Sequence, residues 1–178
     1  MAVLQVTLSW VATRDHRLMV RVNHWHPPKW LRLWMLAATR GGDGWLWYAL
    51  GLAVALYGGP QRFQALLAAT LAVATGIALF ITLKHAFRRE RPCQIEPHCW
   101  AELLPPDQFS FPSGHTITAF AVAISLGEFY PELLPGLLFC AISIAASRIV
   151  LGMHFLSDVL AGATLGAMLG VLATAVIR

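Results

Sequence analysis

The chain has 178 residues, of which 57% are hydrophobic and 12% are charged, and its formal net charge is +4. Soluble domains average about 45–50% apolar and about 25% charged residues, so the composition excludes an ordinary soluble domain and a disordered tail. The 13 basic residues are scattered among apolar stretches and form no stripe, which argues against a nucleic-acid partner. The composition predicts an all-α, polytopic membrane protein whose main partner is the bilayer.

The N-terminal part of the chain is predicted to lie along the membrane surface. Residues 16–40 mix tryptophans with arginines and a lysine, a pattern typical of helices in the interface plane. Pro27 and Pro28 divide this segment into two short helices. We therefore assign residues 1–42 to an interfacial amphipathic segment and residues 43–178 to a transmembrane domain.

Five apolar stretches follow, and each is about long enough to cross the hydrocarbon core as a helix. They cover residues 44–61, 63–83, 113–130, 133–151 and 159–177. A tight turn is predicted at residues 58–60, and Pro131 is a stop signal for the third span. Five spans are therefore expected, with a sixth beginning near Trp30 as the alternative.

The last span carries Gly162, Gly166 and Gly170 at every fourth position. Small residues at this spacing allow neighbouring helices to approach closely in lipid. The alternative is that these glycines only reflect the permissive composition of membrane helices.

Three polar clusters lie at span ends, where charge at membrane depth is costly and usually functional. Residues 84–92 follow the second span, residues 112–115 open the third, and residues 147–158 join the fourth to the fifth. In a five-span topology, all three clusters reach the same face of the membrane. Their convergence predicts a single polar site.

The residue types in these clusters are suited to a phosphate. Lys84, Arg91 and Arg148 supply three cations, and guanidinium groups bind phosphate oxygens in a bidentate manner. Ser113 and Gly114 lie where a helix begins, so that free backbone N–H groups favour an anion there. Each feature alone also fits an ordinary interfacial anchor or a helix cap, and the interpretation rests on their occurring together.

Two histidines and one acid complete the set. His154 and Asp158 are four residues apart, so a helix would place both side chains on one face. A carboxylate bonded to one ring nitrogen leaves the other nitrogen free to attack, and His115 is available to protonate a leaving oxygen. Asp158 is expected to be the only acid of the constellation, and no metal site is predicted.

The three clusters resemble the signature of the type-2 phosphatidic acid phosphatase and vanadium haloperoxidase superfamily. The matching segments are Lys84-x6-Arg91-Pro92, Pro112-Ser113-Gly114-His115 and Ser147-Arg148-x5-His154-x3-Asp158. The resemblance covers about residues 44–177 and leaves the N-terminal segment outside.

This resemblance implies a metal-independent membrane lipid phosphatase that needs no cofactor. The groups that would bind the phosphate are Lys84, Arg91, Ser113, Gly114 and Arg148. His154 would attack phosphorus to form a phosphohistidine, Asp158 would orient it, and His115 would protonate the leaving oxygen and then activate water.

The sequence leaves the substrate and two other functions open. Candidate lipids are undecaprenyl pyrophosphate, phosphatidylglycerophosphate, phosphatidic acid and a lipid A phosphate. Arg88 and Arg89 could contact a diphosphate or be plain surface charge. One alternative is a non-catalytic phospholipid-binding or transport protein, which would leave the spacing of His154 and Asp158 unexplained. The other is a haloperoxidase that binds vanadate, but those enzymes resemble soluble proteins, whereas this chain is predicted to lie in the membrane.

Two arguments about membrane orientation conflict. With five spans, eleven of the 13 basic residues lie on the side of the site, and the positive-inside rule would place that side in the cytoplasm. Resemblance to bacterial members instead favours an inner-membrane protein with a periplasmic site. Cys93 and Cys99 are close enough to pair, and a disulfide would persist only in an oxidising compartment. We therefore expect a periplasmic site and a Cys93–Cys99 bridge.

Overall fold

The computed structural model describes residues 2–95 and 107–178, with side chains described from Trp10 onward. Within these ranges the regular structure is helical, and the all-α prediction is confirmed. The helices are α1 Ala2–Asn23, α2 Lys29–Gly41, α3 Trp45–Tyr57, α4 Arg62–Phe87, α5 Pro92–Ile95, α6 Gly114–Phe129, α7 Leu134–Val150 and α8 Leu156–Ile177. Short 3-10 turns at Gly59–Gln61 and Pro131–Leu133 occupy the positions predicted from glycine and proline.

Helix α6 forms the centre of the bundle and packs against α4, α7 and α8. Its alanines at 119, 121 and 123 are fully buried. Apolar side chains on the outer faces of α4 and α8 are exposed instead, among them Phe63, Leu67, Leu160 and Val176. A small-residue centre and an apolar exterior are the pattern expected of helices that pack together in lipid.

The glycines of α8 bring this helix unusually close to α6. A Cβ atom at Gly166 would lie 2.3 Å from the carbonyl oxygen of Ile117, so no larger residue fits without moving the backbone. The interpretation as a close-packing face therefore applies to this helix pair. At the end of the bundle where α6 begins, the Ser113 N–H donates to the carbonyl oxygen of Asp158 over 3.2 Å, and this contact joins two of the predicted polar clusters.

In the part of the chain that the structure describes, three stretches are long and apolar enough to cross a membrane, judged by length and composition. They are Gly59–Ile95, Pro131–Val150 and Leu156–Ile177. Helix α3 is apolar but has 13 residues, and α6 has 16. The total of five spans therefore stays a prediction.

The N-terminal segment forms two helices that are separated around the two prolines, as predicted. Helix α1 has 22 residues and is longer than the short helix expected. Helix α2 packs on α7 through Met35 and Thr39, while Trp30 and Trp34 are exposed. This arrangement ties the segment to the bundle, and its placement at the membrane interface stays a prediction.

Candidate active site

A cavity of about 310 Å³ lies where the three polar clusters meet. Six of the eight predicted site residues line it: Lys84, Arg91, Gly114, His115, Arg148 and His154. Ile77 and Phe80 of α4 and Ile117 of α6 form an apolar part of the same wall. Cationic and apolar surfaces therefore share one cavity, as a lipid with an anionic head group would require.

Two of the three cations, Arg91 and Arg148, are held in place by contacts behind the cavity wall. Arg91 is 1% exposed and donates to the carbonyl oxygen of Met153 over 2.8 Å. Arg148 is 3% exposed and donates to the hydroxyl of Thr39 on α2. The Nε of Arg148 has no hydrogen-bond partner among the described residues. Buried charges are costly unless they are paired, and among the described residues the guanidinium group of Arg148 retains a free donor for a partner.

His154 and Asp158 lie together at the junction of α7 and α8. The Nδ1 atom of His154 is 3.6 Å from Oδ2 of Asp158, slightly beyond hydrogen-bond length. Its Nε2 atom is 3.2 Å from a guanidinium nitrogen of Arg91. With the proton on Nδ1, a tautomer inferred from these neighbours, the lone pair of Nε2 is directed at the cations.

The environment of His154 keeps its ring neutral. Burial and the nearby charges of Arg91 and Arg148 lower the pKa of His154 to about 3, against a smaller opposing effect of Asp158. His154 as a whole is 3% exposed. A neutral imidazole at physiological pH is the nucleophilic form.

Ser113 and Gly114 lie at the start of α6. Gly114 is the first helical residue, and a Cβ atom there would lie 2.8 Å from the ring of Phe80, so a larger residue would have to displace this ring from the cavity wall. Ser113 is fully buried, and its hydroxyl is 2.9 Å from that of Thr116. Its side chain therefore lies behind the cavity wall.

His115 is joined to an acid that the sequence analysis missed. Its Nε2 atom is 2.9 Å from Oδ1 of Asp43, which follows α2. Both residues line the cavity. This hydrogen bond fixes the imidazole ring of His115 at the cavity wall.

A third acid after Asp158 and Asp43 is Asp107, which lines the cavity and forms ion pairs with two of the cations. Its carboxylate bonds to Lys84 and accepts from Arg91 over 2.8 Å. Burial alone would raise the pKa of Asp107, but the hydrogen bonds from Lys84 and Arg91 outweigh it and hold the pKa below its usual value. The expectation that Asp158 is the only acid of the site was wrong, because Asp43 and Asp107 line the cavity.

Asp107→Asn is expected to strengthen inhibition by vanadate and by inorganic phosphate. An oxyanion that binds Lys84 and Arg91 must displace the Asp107 carboxylate, and an amide competes less well for a cation. The inhibition constant should fall by about 2-fold to 5-fold, the range for a partly exposed ion pair. Glu90→Gln, which neutralises an exposed acid nearby, is the control, and an unchanged inhibition constant for Asp107→Asn would contradict this role.

The remaining predicted positions lie outside the cavity wall. Asp158 is fully buried behind His154. Arg88 is exposed and donates to the carbonyl oxygen of His85, whereas Arg89 is ion-paired to Asp158. The predicted Cys93–Cys99 bridge cannot be placed, because Cys99 lies outside the described residues.

Fold and site together define an integral membrane helix bundle with a cavity that is lined by three cations and two histidines. The sequence profile of the PAP2 superfamily matches residues 65–178. The chain belongs to the PAP2 superfamily, and it is a membrane phosphatase.

Curated relatives of the chain are bacterial phosphatases. Decaprenylphosphoryl-5-phosphoribose phosphatase of Mycobacterium tuberculosis is 36% identical over 149 residues, which is 80% of this chain and 80% of the relative. Phosphatidylglycerophosphatase B of Bacillus subtilis is 35% identical over 98 residues, which is 49% of this chain and 45% of the relative. Lipid A 1-phosphatase of Rhizobium johnstonii is 32% identical over 94 residues, which is 51% of this chain and 38% of the relative.

Two crystal structures have the same fold. LpxE of Aquifex aeolicus superposes with a TM-score of 0.75 and 28% identity over 88% of this chain and 92% of that one. The transmembrane PAP2-type phosphatidylglycerolphosphate phosphatase of Bacillus subtilis superposes with a TM-score of 0.73 and 26% identity over 93% of this chain and 85% of that one. The resemblance in the sequence analysis is thereby confirmed.

Proposed function

We propose that the chain hydrolyses a lipid phosphate without a metal ion, through a phosphohistidine formed on His154. The observation that carries the proposal is the placement of Nε2 of His154 beside Arg91 in a cavity that Lys84 and Arg148 also line. A phosphoryl group held by these cations would lie next to the attacking nitrogen. Such preorganised charge stabilises the transition state of phosphoryl transfer.

The phosphate would be bound by side chains and by the start of α6. Lys84, Arg91 and Arg148 would contact its oxygens, and the phosphate would displace the Asp107 carboxylate from Lys84 and Arg91. The N–H groups of the first turn of α6, beginning at Gly114, have no partner within the helix and favour an anion. In this proposal the hydroxyl of Ser113 leaves its hydrogen bond with Thr116 and donates to a phosphate oxygen instead.

The reaction would proceed in two displacements. Nε2 of His154 forms a bond to phosphorus as the bond from phosphorus to the lipid oxygen breaks, and His115 donates a proton to that oxygen. Asp158 stabilises the positive charge that develops on the ring of His154. His115 then takes a proton from water, whose oxygen attacks phosphorus and releases His154 and inorganic phosphate.

The apolar wall suggests where the lipid tail lies. Ile77 and Phe80 of α4 line the cavity, and Ile77 is 47% exposed. A prenyl or acyl chain could pass from the cavity along this face of α4 into the bilayer. Relatives that cover 80% and 65% of this chain are named for a decaprenylphosphoryl-5-phosphoribose, so we place a phosphomonoester on a polyprenyl-linked head group first among the substrates.

A panel of lipids tests both the activity and the substrate. Purified protein in detergent would be incubated with a decaprenylphosphoryl-5-phosphoribose, undecaprenyl pyrophosphate, phosphatidylglycerophosphate, phosphatidic acid and lipid A 1-phosphate. Release of phosphate from one of them is expected. Binding to these lipids without release from any would favour the alternative of a non-catalytic phospholipid-binding or transport protein.

Activity is expected to persist in EDTA and to be inhibited by vanadate. Three cationic side chains and helix N–H groups supply the charge stabilisation that a metal ion provides in other phosphatases. Vanadate resembles the trigonal-bipyramidal transition state and should compete with the lipid. The assay is phosphate release with and without chelator, and activity that is lost in EDTA and restored by Mg²⁺ would contradict the metal-free proposal.

We further propose that the protein lies in the bacterial inner membrane with its site facing the periplasm. Labelling of intact cells with a membrane-impermeant thiol reagent should reach Cys93 and Cys99 only after reduction. Labelling of these cysteines only after lysis, without reductant, would contradict both the orientation and the bridge. The charge distribution, which favours a cytoplasmic site, would then be the better guide.

A further inference from the structure

Behind the proposed catalytic pair lies a chain of charged groups that reaches the N-terminal helix. Arg89 donates to Oδ1 of Asp158 over 2.7 Å and to Oδ2 of Asp15 over 2.7 Å. Asp15 is on α1, far in sequence from both. One guanidinium group therefore links two carboxylates, and the second of them lies beside His154.

Asp158 depends on this arginine for its charge balance. The carboxylate is fully buried; its Oδ2 accepts the Phe155 N–H over 2.9 Å and faces His154, while Arg89 bonds to Oδ1. A buried carboxylate without a cation is strongly disfavoured. Arg89 is thus the cation that allows Asp158 to remain charged beside a neutral imidazole.

Asp15 fixes both the arginine and the first turn of α8. It is 5% exposed and accepts the Ser157 N–H over 3.1 Å as well as the Ser157 hydroxyl. The guanidinium carbon of Arg89 lies 4.1 Å from the centre of the Phe155 ring, which it covers. The guanidinium group is therefore held on one side by two acids and on its face by an aromatic ring.

We propose that Arg89 and Asp15 are positioning residues for phosphoryl transfer. Helix α1, which carries Asp15, would thereby contribute to catalysis. They act by holding Asp158 in the orientation that serves His154. Neither residue lines the cavity, so neither is needed to bind the phosphate. The proposal rests on the proposed function, in which His154 is the nucleophile.

Arg89→Gln is expected to lower kcat by about 10-fold to 100-fold, a range typical of groups coupled in one network. KM and the inhibition constant of inorganic phosphate, which report binding of the ground state, should stay close to their wild-type values. Asp15→Asn should lower kcat as well, but less strongly. Arg89→Lys should lose less kcat than Arg89→Gln, because lysine keeps the positive charge but lacks the paired N–H donors of the guanidinium group. Arg88→Gln is the matched control, since Arg88 is the exposed neighbour and its replacement should leave kcat unchanged.

A double-mutant cycle separates positioning from general destabilisation. If Arg89 acts through Asp158, Arg89→Gln should cause little further loss of kcat when Asp158 is already asparagine. Losses of kcat that multiply, or a wild-type kcat in the folded Arg89→Gln protein, would overturn the proposal. The Asp15→Asn series supplies the same test should Arg89→Gln fail to fold. If Asp158→Asn itself keeps full activity, the proposed function has failed instead.

Discussion

His154→Ala is expected to abolish phosphate release, with a loss of about 10⁴-fold or more, as for removal of other nucleophiles. The methyl group of alanine has no atom that can form a bond to phosphorus, unlike the imidazole ring that it replaces. Asp158 keeps its contacts with Arg89 and the Phe155 N–H, so the carboxylate is not left without partners. The variant should therefore still fold. Initial rates on a lipid phosphate and thermal unfolding in detergent measure the two parts.

His85→Ala is the matched control for this experiment. His85 belongs to the first polar cluster but is exposed, and its ring bonds to the carbonyl oxygen of Ile81 in its own helix. Its loss should leave the rate unchanged. Phosphate release at the wild-type rate by His154→Ala would show that His154 is not the nucleophile.

Asp158→Asn is expected to lower kcat by about 10³-fold to 10⁴-fold, as for the orienting acid of a catalytic triad. The carboxylate accepts hydrogen bonds on both oxygens, from Arg89 and from the Phe155 N–H. An amide has one acceptor oxygen, so its NH₂ group must face a donor. The ring of His154 then loses both its orientation and the charge that stabilises its phosphorylated form.

The comparison for this variant is Glu128→Gln, which removes an exposed acid that pairs with Arg178 near the C-terminal end. The rate of Glu128→Gln should match that of the wild type. Stopped-flow measurements should show that formation of the phosphoenzyme is the step that slows in Asp158→Asn. A kcat within about 3-fold of the wild-type value would contradict the proposed role of Asp158.

The helices and the convergence of the polar clusters could be predicted from the sequence. Charges are so rare in this chain that those at span ends stand out, and helical hairpins leave few ways to connect them. The third apolar stretch, predicted at 113–130, forms the helix Gly114–Phe129 in the structure. Its cluster meets those containing Arg91 and Arg148 in one cavity, as the topology required.

The acids supplied by distant segments could not be predicted in this way. Asp15 lies among the arginines of the N-terminal segment and Asp43 directly follows that segment, so both acids resemble ordinary surface charge in the sequence. Their partners, Ser157 and His115, are far away in sequence. Only the packing of α1 and α2 on the bundle makes these contacts, and periodicity in one helix carries no information about it.

The sequence also could not predict that the side chain of Ser113 lies behind the cavity wall, for a related reason. The sequence places Ser113 at a helix start, and the structure agrees. The rotamer of its hydroxyl depends on Thr116, one turn further along α6. A helix cap and a ligand contact draw on the same residue type, so the sequence alone could not separate these roles.

The central claim is that His154 carries the phosphoryl group during turnover. The most direct measurement is rapid quench of the wild-type enzyme with a lipid labelled on its phosphate, at alkaline pH where phosphohistidine survives, followed by peptide mapping. The label should appear within the first turnover on the peptide containing His154, should be absent from His154→Ala, and should disappear at the rate of phosphate release. Label on any other residue, or turnover with no labelled protein at any time, would contradict the account.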